Sequence, residues 1–251
     1  MIKGIIFDLG FTLLRFNGDW EAAARQGAEA MADWYLAKKH IKLDAAGLVE
    51  TFLAERKLAG ELARRTQTEI SAQDSLRLAL QRIEAPVSAQ ALLEPAIKVH
   101  FGPEEVAWQP YPDTAETLRQ LRGQGYRLGL YSNATDDPLI QRLVNQGGLR
   151  PWLSPTFSSA GWGWRKPRPE PFQLIARRWG LSPQEVVMVG DTLEADILGA
   201  HNAGMLSILA TMDEAPSNEH NRHIRPTAVA GRLSDVPEIV SRLAESAARE
   251  V

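Results

Sequence analysis

The chain has 251 residues, of which 44% are hydrophobic and 24% are charged, and its formal net charge at pH 7 is −3. These values are typical of a soluble globular protein, and the slightly acidic balance gives no reason to expect nucleic acid or an anionic membrane as a partner. The sequence has no cysteine, which excludes disulfides, thiolate nucleophiles and cysteine-ligated metal sites.

The first predicted element is a short apolar strand, residues 3–7, which ends at Asp8. This segment lacks the longer apolar core and the small-residue cleavage site of a secretory signal. No stretch of the sequence approaches the roughly 18 continuous apolar residues that a membrane span needs. We therefore expect a cytoplasmic protein without a membrane partner.

The sequence changes character between about residue 17 and residue 106, where alanine and charged residues dominate. Apolar residues recur there every three or four positions, notably in 20–39 and 44–65, which predicts amphipathic helices. Ser71, with Asp74 three positions later, predicts a helix start of the capping-box kind. No convincing strand pattern interrupts this segment, so it is predicted to be a helical subdomain.

From Pro110 onward, short apolar runs alternate with helical patterns. Residues 212–223 show neither pattern and are interpreted as a surface loop. The predicted strands are 126–133, 154–160, 186–190 and 206–210, and the predicted helices are 113–125, 138–147, 169–180, 193–204 and 233–250.

Strands that alternate with helices are typical of a parallel sheet with both faces covered. We therefore predict an α/β fold: a Rossmann-like parallel sheet core with an inserted helical domain. The core is expected to comprise residues 1–16 and 107–251, and the insertion residues 17–106.

Polar residues that suit phosphate chemistry follow three of the predicted strands. Asp8, Ser132 and Asp191 each come directly after an apolar run, and ligands of open parallel sheets bind at the carboxyl ends of the strands. Asp8 beside a divalent ion is a candidate nucleophile, because carboxylates form acyl-phosphate intermediates. Asp191 is a candidate oxygen ligand for Mg²⁺, and Asp196 is a candidate to hold a metal-bound water.

Further polar residues complete this predicted site. Lys166 would neutralise charge on the nucleophile and on the phosphoryl group. The hydroxyls of Thr12 and Ser132 would cradle phosphate oxygens together with backbone N–H groups. Asn133 joins Ser132 and Lys166 as a candidate substrate-binding residue. Each residue alone has an ordinary explanation as a cap or a solvated side chain, and only the ordered set indicates a site.

The ordered set of residues resembles the motifs of the haloacid dehalogenase (HAD) superfamily of hydrolases. The helical insertion is similar to the cap domain of the subgroup that includes haloacid dehalogenases, phosphoglycolate phosphatases and β-phosphoglucomutases. The resemblance implies that Asp8 is the nucleophile, that Ser132 and Lys166 bind phosphate and balance charge, and that Asp191 and Asp196 serve Mg²⁺. In this family the backbone carbonyl two residues after the nucleophile also binds the metal, and Gly10 retains that carbonyl.

Gly10 also departs from the family pattern. Family phosphatases typically carry an aspartate at this position, which protonates the leaving alkoxide and then activates water. Such acid–base help contributes about 10²–10⁴-fold in rate, and glycine has no side chain to supply it. Phe11 in turn replaces the glycine that commonly follows.

Several functions remain open at this point. We predict a Mg²⁺-dependent phosphatase that acts on a small phosphorylated metabolite through an aspartyl-phosphate, with a leaving group that needs little protonation, such as an anomeric, acyl or aryl group. A 2-haloacid dehalogenase is a second candidate, because halide leaves unprotonated. However, dehalogenases of this family work without the metal and have lost its acidic ligand, which this chain keeps as Asp191. A slowly reacting Mg²⁺- and phosphate-binding regulatory module is a third candidate, and a phosphate-transferring mutase is a fourth.

The helical segment should determine specificity, but its sequence gives weak signals. Asp19 is a candidate substitute for the missing acid, and Trp162 and Trp164, near Lys166, are candidates to line the pocket mouth. Cationic side chains on amphipathic helices usually form a solvated face. The sequence leaves the substrate and the oligomeric state open. The candidates to reach an anionic substrate are Trp20, Arg25, Arg56, Arg64 and Arg65.

Overall fold

The structure is a computed structural model that describes residues 1–38, 41–213 and 215–249. Three predicted elements extend beyond these ranges. Lys39 in the first predicted helix, Glu214 in the predicted loop and Glu250 in the last predicted helix lie outside the described residues.

Within the described residues, six strands form one parallel sheet in the order β5-β4-β1-β6-β7-β8, and β2 pairs with β3 as an antiparallel ribbon. The predicted α/β fold is therefore confirmed. The short strands β2, β3 and β8, of three residues each, were not predicted. The strands are β1 (Gly4–Phe7), β2 (Leu14–Phe16), β3 (Trp108–Pro110), β4 (Arg127–Ser132), β5 (Thr156–Ser158), β6 (Val186–Gly190), β7 (Leu206–Ala210) and β8 (Ala228–Ala230).

Most of the described helices lie at predicted positions, and none of the described helices is long and apolar enough to cross a lipid bilayer. The helices are α1 (Trp20–Leu36), α2 (Ala45–Thr66), α3 (Ala72–Arg82), α4 (Val87–Gln90), α5 (Leu93–His100), α6 (Gly102–Ala107), α7 (Thr114–Gly123), α8 (Asp137–Gln146), α9 (Ser159–Trp162), α10 (Glu170–Trp179), α11 (Leu198–Ala203) and α12 (Val236–Arg249).

The structure adds detail to two of the predicted segments. The predicted helix 193–204 begins with a π-helical turn, Leu193–Ile197, and continues as α11. The predicted surface loop 212–223 contains a 3₁₀ turn, Pro216–Asn221, which packs against that π-helical turn. This contact holds the polar segment against the turn that follows β6.

The central strands place the predicted site residues together. Every residue of β1 and of β6 is buried, as expected for strands that are covered on both faces. Phe7, at the end of β1, is in register with Leu130 of β4 and with Val189 of β6. The chain positions that follow these three residues therefore meet at the carboxyl ends of the parallel strands, which we call the sheet edge.

The segment between β2 and β3 is helical throughout its described residues apart from short connections. Its three longest helices, α1 to α3, begin at side-chain caps. Asp19 accepts from the amide of Ala22 at 2.8 Å, and the predicted capping box of Ser71 and Asp74 is present. The apolar faces of these helices join the same core cluster as β1. The division into core and cap at residues 16/17 and 106/107 remains a prediction.

Candidate active site

A cavity of about 610 Å³ lies between the carboxyl edge of the sheet and the helical segment. This volume is in the range of small-molecule sites. The sheet side of its wall includes Asp8, Gly10, Ser132, Lys166, Asp191 and Asp196, so the structure brings most of the predicted residues together.

Lys166 lies at the centre of these residues and is only 5% exposed. Its Nζ donates to Asp8 Oδ1, to Asp196 Oδ1 at 2.7 Å and to the carbonyl of Tyr131 at 3.0 Å. Burial alone would lower the pKa of Lys166, but the charges of Asp196 and Asp8 raise it above its usual value. The ammonium group therefore stays charged and holds the two carboxylates together.

Carboxylate oxygens of Asp8, Asp191 and Asp196 lie within 4.8 Å of one another, and all three residues are buried. Burial raises the pKa of Asp8 to about 6, against the charge of Lys166. Burial, and then the charges of Asp196 and Asp8, raise the pKa of Asp191 to about 8. Three close carboxyl groups beside one ammonium group leave excess negative charge, and hard oxygen donors of this kind fit a divalent cation such as Mg²⁺.

Close packing against Gly190 fixes the position of Asp196. A Cβ atom at Gly190 would lie 2.2 Å from Asp196 Cγ, so no larger residue fits there without displacing the carboxylate. Asp196 Oδ2 also accepts from the amide of Thr192 at 3.0 Å. The glycine before Asp191 is therefore a requirement of the acidic cluster itself.

Asn218 supports the same turn, although no sequence pattern indicated it. Its amide nitrogen donates to the carbonyl of Asp191 and its amide oxygen accepts from the amide of Leu193, both at 2.8 Å. The neighbouring Ser217 lines the cavity. Asn218 lies in the segment interpreted as a surface loop, where asparagine is common and carries no information.

Asn133 and Thr12 have surroundings that differ from the expected ones. Asn133 lines the cavity, but its amide group accepts from the backbone N–H of Lys166 at 2.9 Å and donates to its carbonyl at 3.1 Å, which positions Lys166. The Thr12 side chain is fully buried, is not part of the cavity wall and has no hydrogen-bond partner for its hydroxyl among the described residues. Ser132 does reach the wall.

Trp108 occupies the space beside Gly10. A Cβ atom at Gly10 would lie 2.8 Å from Cη2 of the indole ring. The ring packs against Phe11, Phe16 and Trp20 with centroid distances of 5.2, 5.1 and 5.8 Å. Phe11 has a φ of 56°, in the left-handed region that favours glycine. An aromatic wall therefore stands where a second aspartate side chain would lie.

The family model for haloacid dehalogenase-like hydrolases matches residues 2–204. The chain belongs to this family. It is therefore a hydrolase, and the sheet-edge cluster is the candidate active site of that hydrolase.

Several known proteins resemble the chain over most of its length. It is 32% identical over 209 residues to a glyceraldehyde 3-phosphate phosphatase of Methanopyrus kandleri, with 83% of each chain covered. It is 28% identical to the protein of the same description from Methanothermobacter thermautotrophicus, with 96% of this chain and 100% of that protein covered. The structure of a 2-haloacid dehalogenase from Pseudomonas syringae superposes with a TM-score of 0.72 at 28% identity, covering 96% of this chain and 99% of the other.

Some candidate residues of the helical segment lie at the cavity wall, and others lie away from it. Trp20, Arg56 and Arg64 line the cavity. Arg25 instead forms an ion pair with Glu50 at 2.7 Å on the surface. Arg65, which is exposed, is not part of the cavity wall.

The remaining candidates have structural contacts outside the cavity. Asp19 caps α1 and does not line the cavity. The ring of Trp162 packs on Phe157 with centroids 4.7 Å apart. The ring of Trp164 lies 4.8 Å from the guanidinium carbon of Arg168. These contacts favour a packing role for both tryptophans.

Proposed function

We propose that the chain is a Mg²⁺-dependent phosphatase that hydrolyses a small phosphorylated metabolite through a phosphorylated Asp8. The observation that carries this proposal is the buried group of three carboxyl side chains and one lysine at the wall of a cavity. The volume of about 610 Å³ suits a small substrate. The two relatives described as glyceraldehyde 3-phosphate phosphatases support the same reaction class.

The residues that would hold Mg²⁺ are Asp8, Asp191, Asp196 and the backbone carbonyl of Gly10. When bound, Mg²⁺ would supply positive charge that neutralises the acidic group and polarises the phosphoryl oxygens. The raised pKa of Asp191, about 8, expresses the same excess of negative charge. Ser132 would donate its hydroxyl to a phosphate oxygen.

Asp8 would act as the nucleophile. Its pKa of about 6 leaves it ionised at neutral pH. A carboxylate oxygen of Asp8 attacks phosphorus, the bond between phosphorus and the ester oxygen breaks, and the leaving group departs as its anion, which takes a proton from solvent. A water molecule then attacks the same phosphorus and releases phosphate and the free carboxylate. Lys166 would hold Asp8 in place and neutralise charge on the transferred group throughout.

The leaving group would obtain no proton from position 10. Gly10 lacks a side chain, and the Trp108 ring fills the adjacent space. The leaving groups of aryl, acyl and anomeric phosphates depart without protonation at this step. These phosphates are therefore the expected good substrates. Glyceraldehyde 3-phosphate is an ester of a primary alcohol, and its hydrolysis would need a proton from another donor.

The similarity to a 2-haloacid dehalogenase structure favours a second candidate function. In that reaction a carboxylate displaces halide, which needs no proton and no metal. The retained acidic group weighs against it, because three carboxyl groups outnumber the one ammonium group of Lys166 and their excess negative charge would repel an anionic haloacid.

Assays of phosphate and halide release test this proposal. We expect Mg²⁺-dependent phosphate release from an aryl phosphate, abolished by a chelator and reduced by roughly 10⁴-fold or more in Asp8→Asn. Asp33→Asn, the same change at an exposed position of α1, is the matched control and should retain activity. Metal-independent halide release from a 2-haloacid would favour the dehalogenase. Phosphate-analogue binding without turnover of any ester would favour a binding module.

A further inference from the structure

Arg56 of α2 is a cationic side chain at the cavity wall that is not neutralised by direct pairing. Among the described residues it forms no ion pair. It is more buried than Arg64, the other arginine of the helical segment that lines the cavity. Its guanidinium carbon lies 5.1 Å from the ring centre of Phe101 and 6.0 Å from that of Phe52. These rings restrict its motion without reducing its charge.

Neutral partners fix the direction of this guanidinium group. One terminal nitrogen lies 2.6 Å from His100 Nε2, and the other donates to the Thr135 hydroxyl at 3.1 Å. Burial, and then the charge of Arg56, lower the pKa of His100 to about 3, so the imidazole is neutral and accepts the hydrogen bond. The remaining N–H groups of Arg56 have no partner among the described residues and are available to a ligand.

Glu104 of α6 provides an acceptor at the same wall. Its carboxylate accepts from the indole N–H of Trp108 at 3.4 Å, and among the described residues it forms no ion pair. Asp136 also lines the cavity, with one oxygen held by the amide of Leu139 at 2.9 Å. Around Arg56 the wall therefore presents two carboxyl groups, those of Glu104 and Asp136. Two further arginines line the cavity: Arg64, and Arg165, which pairs with Glu69.

We propose that Arg56 and Glu104 form the subsite for the non-reacting end of the substrate, and that this end carries hydroxyl or carbonyl groups rather than a second anionic group. The inference rests on the proposed phosphatase function. Arg56 donates to an oxygen of the distal group, and Glu104 accepts from its hydroxyl. A distal carboxylate or second phosphate would meet the charges of Glu104 and Asp136, which offset that of Arg56.

A matched pair of ligands tests this subsite. Glycerol 3-phosphate and 3-phosphoglycerate differ only in a distal hydroxymethyl or carboxylate group. Their dissociation constants are measured by calorimetry, with Mg²⁺ present, on Asp8→Asn protein that does not turn them over. We expect glycerol 3-phosphate to bind at least about 10-fold more tightly than 3-phosphoglycerate. A mismatched charge in a buried site costs more than about 1.4 kcal/mol, and this free energy corresponds to a tenfold change in the dissociation constant.

Charge-removing variants, made in the same background, separate the roles of the two residues. Glu104→Gln should reduce the ratio of the two dissociation constants by about 5-fold or more, because the variant no longer repels the carboxylate of 3-phosphoglycerate. Arg56→Gln should weaken binding of both ligands. Glu94→Gln, an exposed position on α5 with the same change in charge, is the control and should leave the preference unchanged.

The possible results distinguish this inference from the proposed function. Tighter binding of 3-phosphoglycerate to Asp8→Asn, or a preference that Glu104→Gln does not alter, overturns the subsite. Absence of aryl phosphate hydrolysis by the wild-type protein overturns the phosphatase proposal, and the binding comparison still decides the subsite. A circular dichroism spectrum of each variant identifies any that fails to fold; Glu104→Ala, which also removes the charge, then replaces Glu104→Gln and should reduce the preference in the same way.

Discussion

The two ends of the cavity are built in different ways. At the sheet edge, short side chains project from positions just after buried strands, and hydrogen bonds to Lys166 hold two of the carboxylates in place. At the helical end, long side chains from different elements meet, and Arg56 depends on rings and neutral acceptors for its position. The sheet edge is thus fixed by strand register, whereas the helical end is fixed by packing of the insertion on the core.

This difference separates chemistry from selection. A reacting group needs fixed geometry, which strand ends provide. A group that selects among substrates has to match the size and charge of the ligand, and elements of a helical insertion can change without altering the sheet. Variants at the two ends should therefore have different effects: changes at the sheet edge should lower turnover, and changes at the helical end should alter binding.

Among the variants that test this comparison of the two ends, the largest change in turnover is expected at Lys166. Lys166→Met removes the cation between Asp8 and Asp196, so turnover of an aryl phosphate should fall by about 10²–10³-fold. Mg²⁺ should bind more tightly, because it no longer competes with the ammonium group for these carboxylates. Arg168→Met, outside the cavity, is the control for loss of one positive charge. Unchanged turnover, or weaker Mg²⁺ binding, would show that Lys166 does not hold the acidic group.

An intermediate effect is expected where the two ends meet, at Gly10. Gly10→Asp should not increase hydrolysis of alkyl phosphates and should destabilise the fold by roughly 1–3 kcal/mol, because its Cβ lies 2.8 Å from the Trp108 ring. Gly10→Ala, with the same Cβ and no carboxyl group, should be destabilised to a similar extent. Chemical denaturation measures both.

The double variant Gly10→Asp/Trp108→Leu tests the cause of that clash. Removing the ring should recover part of the stability lost in Gly10→Asp, which a double-mutant cycle detects as a coupling energy. It should also allow a gain with alkyl phosphates, if a carboxyl group at position 10 can then reach the leaving oxygen. A Gly10→Asp protein as stable as wild type would be inconsistent with an aromatic wall beside position 10.

The smallest effect concerns pH and Mg²⁺. The pKa values of Asp8 and Asp191, about 6 and about 8, lie above the value of 3.8 for an unperturbed aspartate. Between these limits the native metal-free protein holds more protons than the unfolded chain, so its stability should fall as pH rises from about 4 to 8. Mg²⁺ displaces those protons, so its binding should strengthen over the same range.

Thermal unfolding at pH 5 and pH 8, with Mg²⁺ or a chelator, measures this linkage. A gain of about 1 kcal/mol from Mg²⁺ corresponds to a rise in Tm of roughly 2–4 °C for a chain of this size, and the rise should be larger at pH 8. Asp191→Asn should lose most of the Mg²⁺ effect. Equal shifts at both pH values would contradict the raised pKa values.

The sheet edge could be predicted from the sequence because local rules determine it. Asp8, Ser132 and Asp191 follow apolar strands, and parallel strands bring their carboxyl ends together whatever the rest of the chain does. At the helical end the sequence offered Trp20, Arg56 and Arg64 as candidates, which do line the cavity, but their contacts could not be predicted, since these join distant positions. Arg56 and Thr135, for example, are 79 positions apart, and their contact exists only when α2 packs beside the loop after β4.

Other unpredicted features have equally physical causes. Glu104 and Trp108 lie in a short helix and a short strand that carry no periodic signal. Asn218 acts through backbone hydrogen bonds of the Asp191 turn, which polar composition does not reveal. The burial of Thr12 depends on how the turn after β1 folds inward, and its spacing from Asp8 does not specify that direction.

The most direct test of the proposed chemistry is to look for a phosphoryl group on the protein during turnover. Wild-type protein with Mg²⁺ and excess aryl phosphate is quenched in acid within the first turnovers, digested, and its peptides are analysed by mass spectrometry. We predict one phosphoryl group on the peptide that contains Asp8, at that residue, and none in Asp8→Asn. A phosphoryl group on a different residue, or phosphate release by Asp8→Asn at the wild-type rate, would contradict the role of Asp8 as nucleophile.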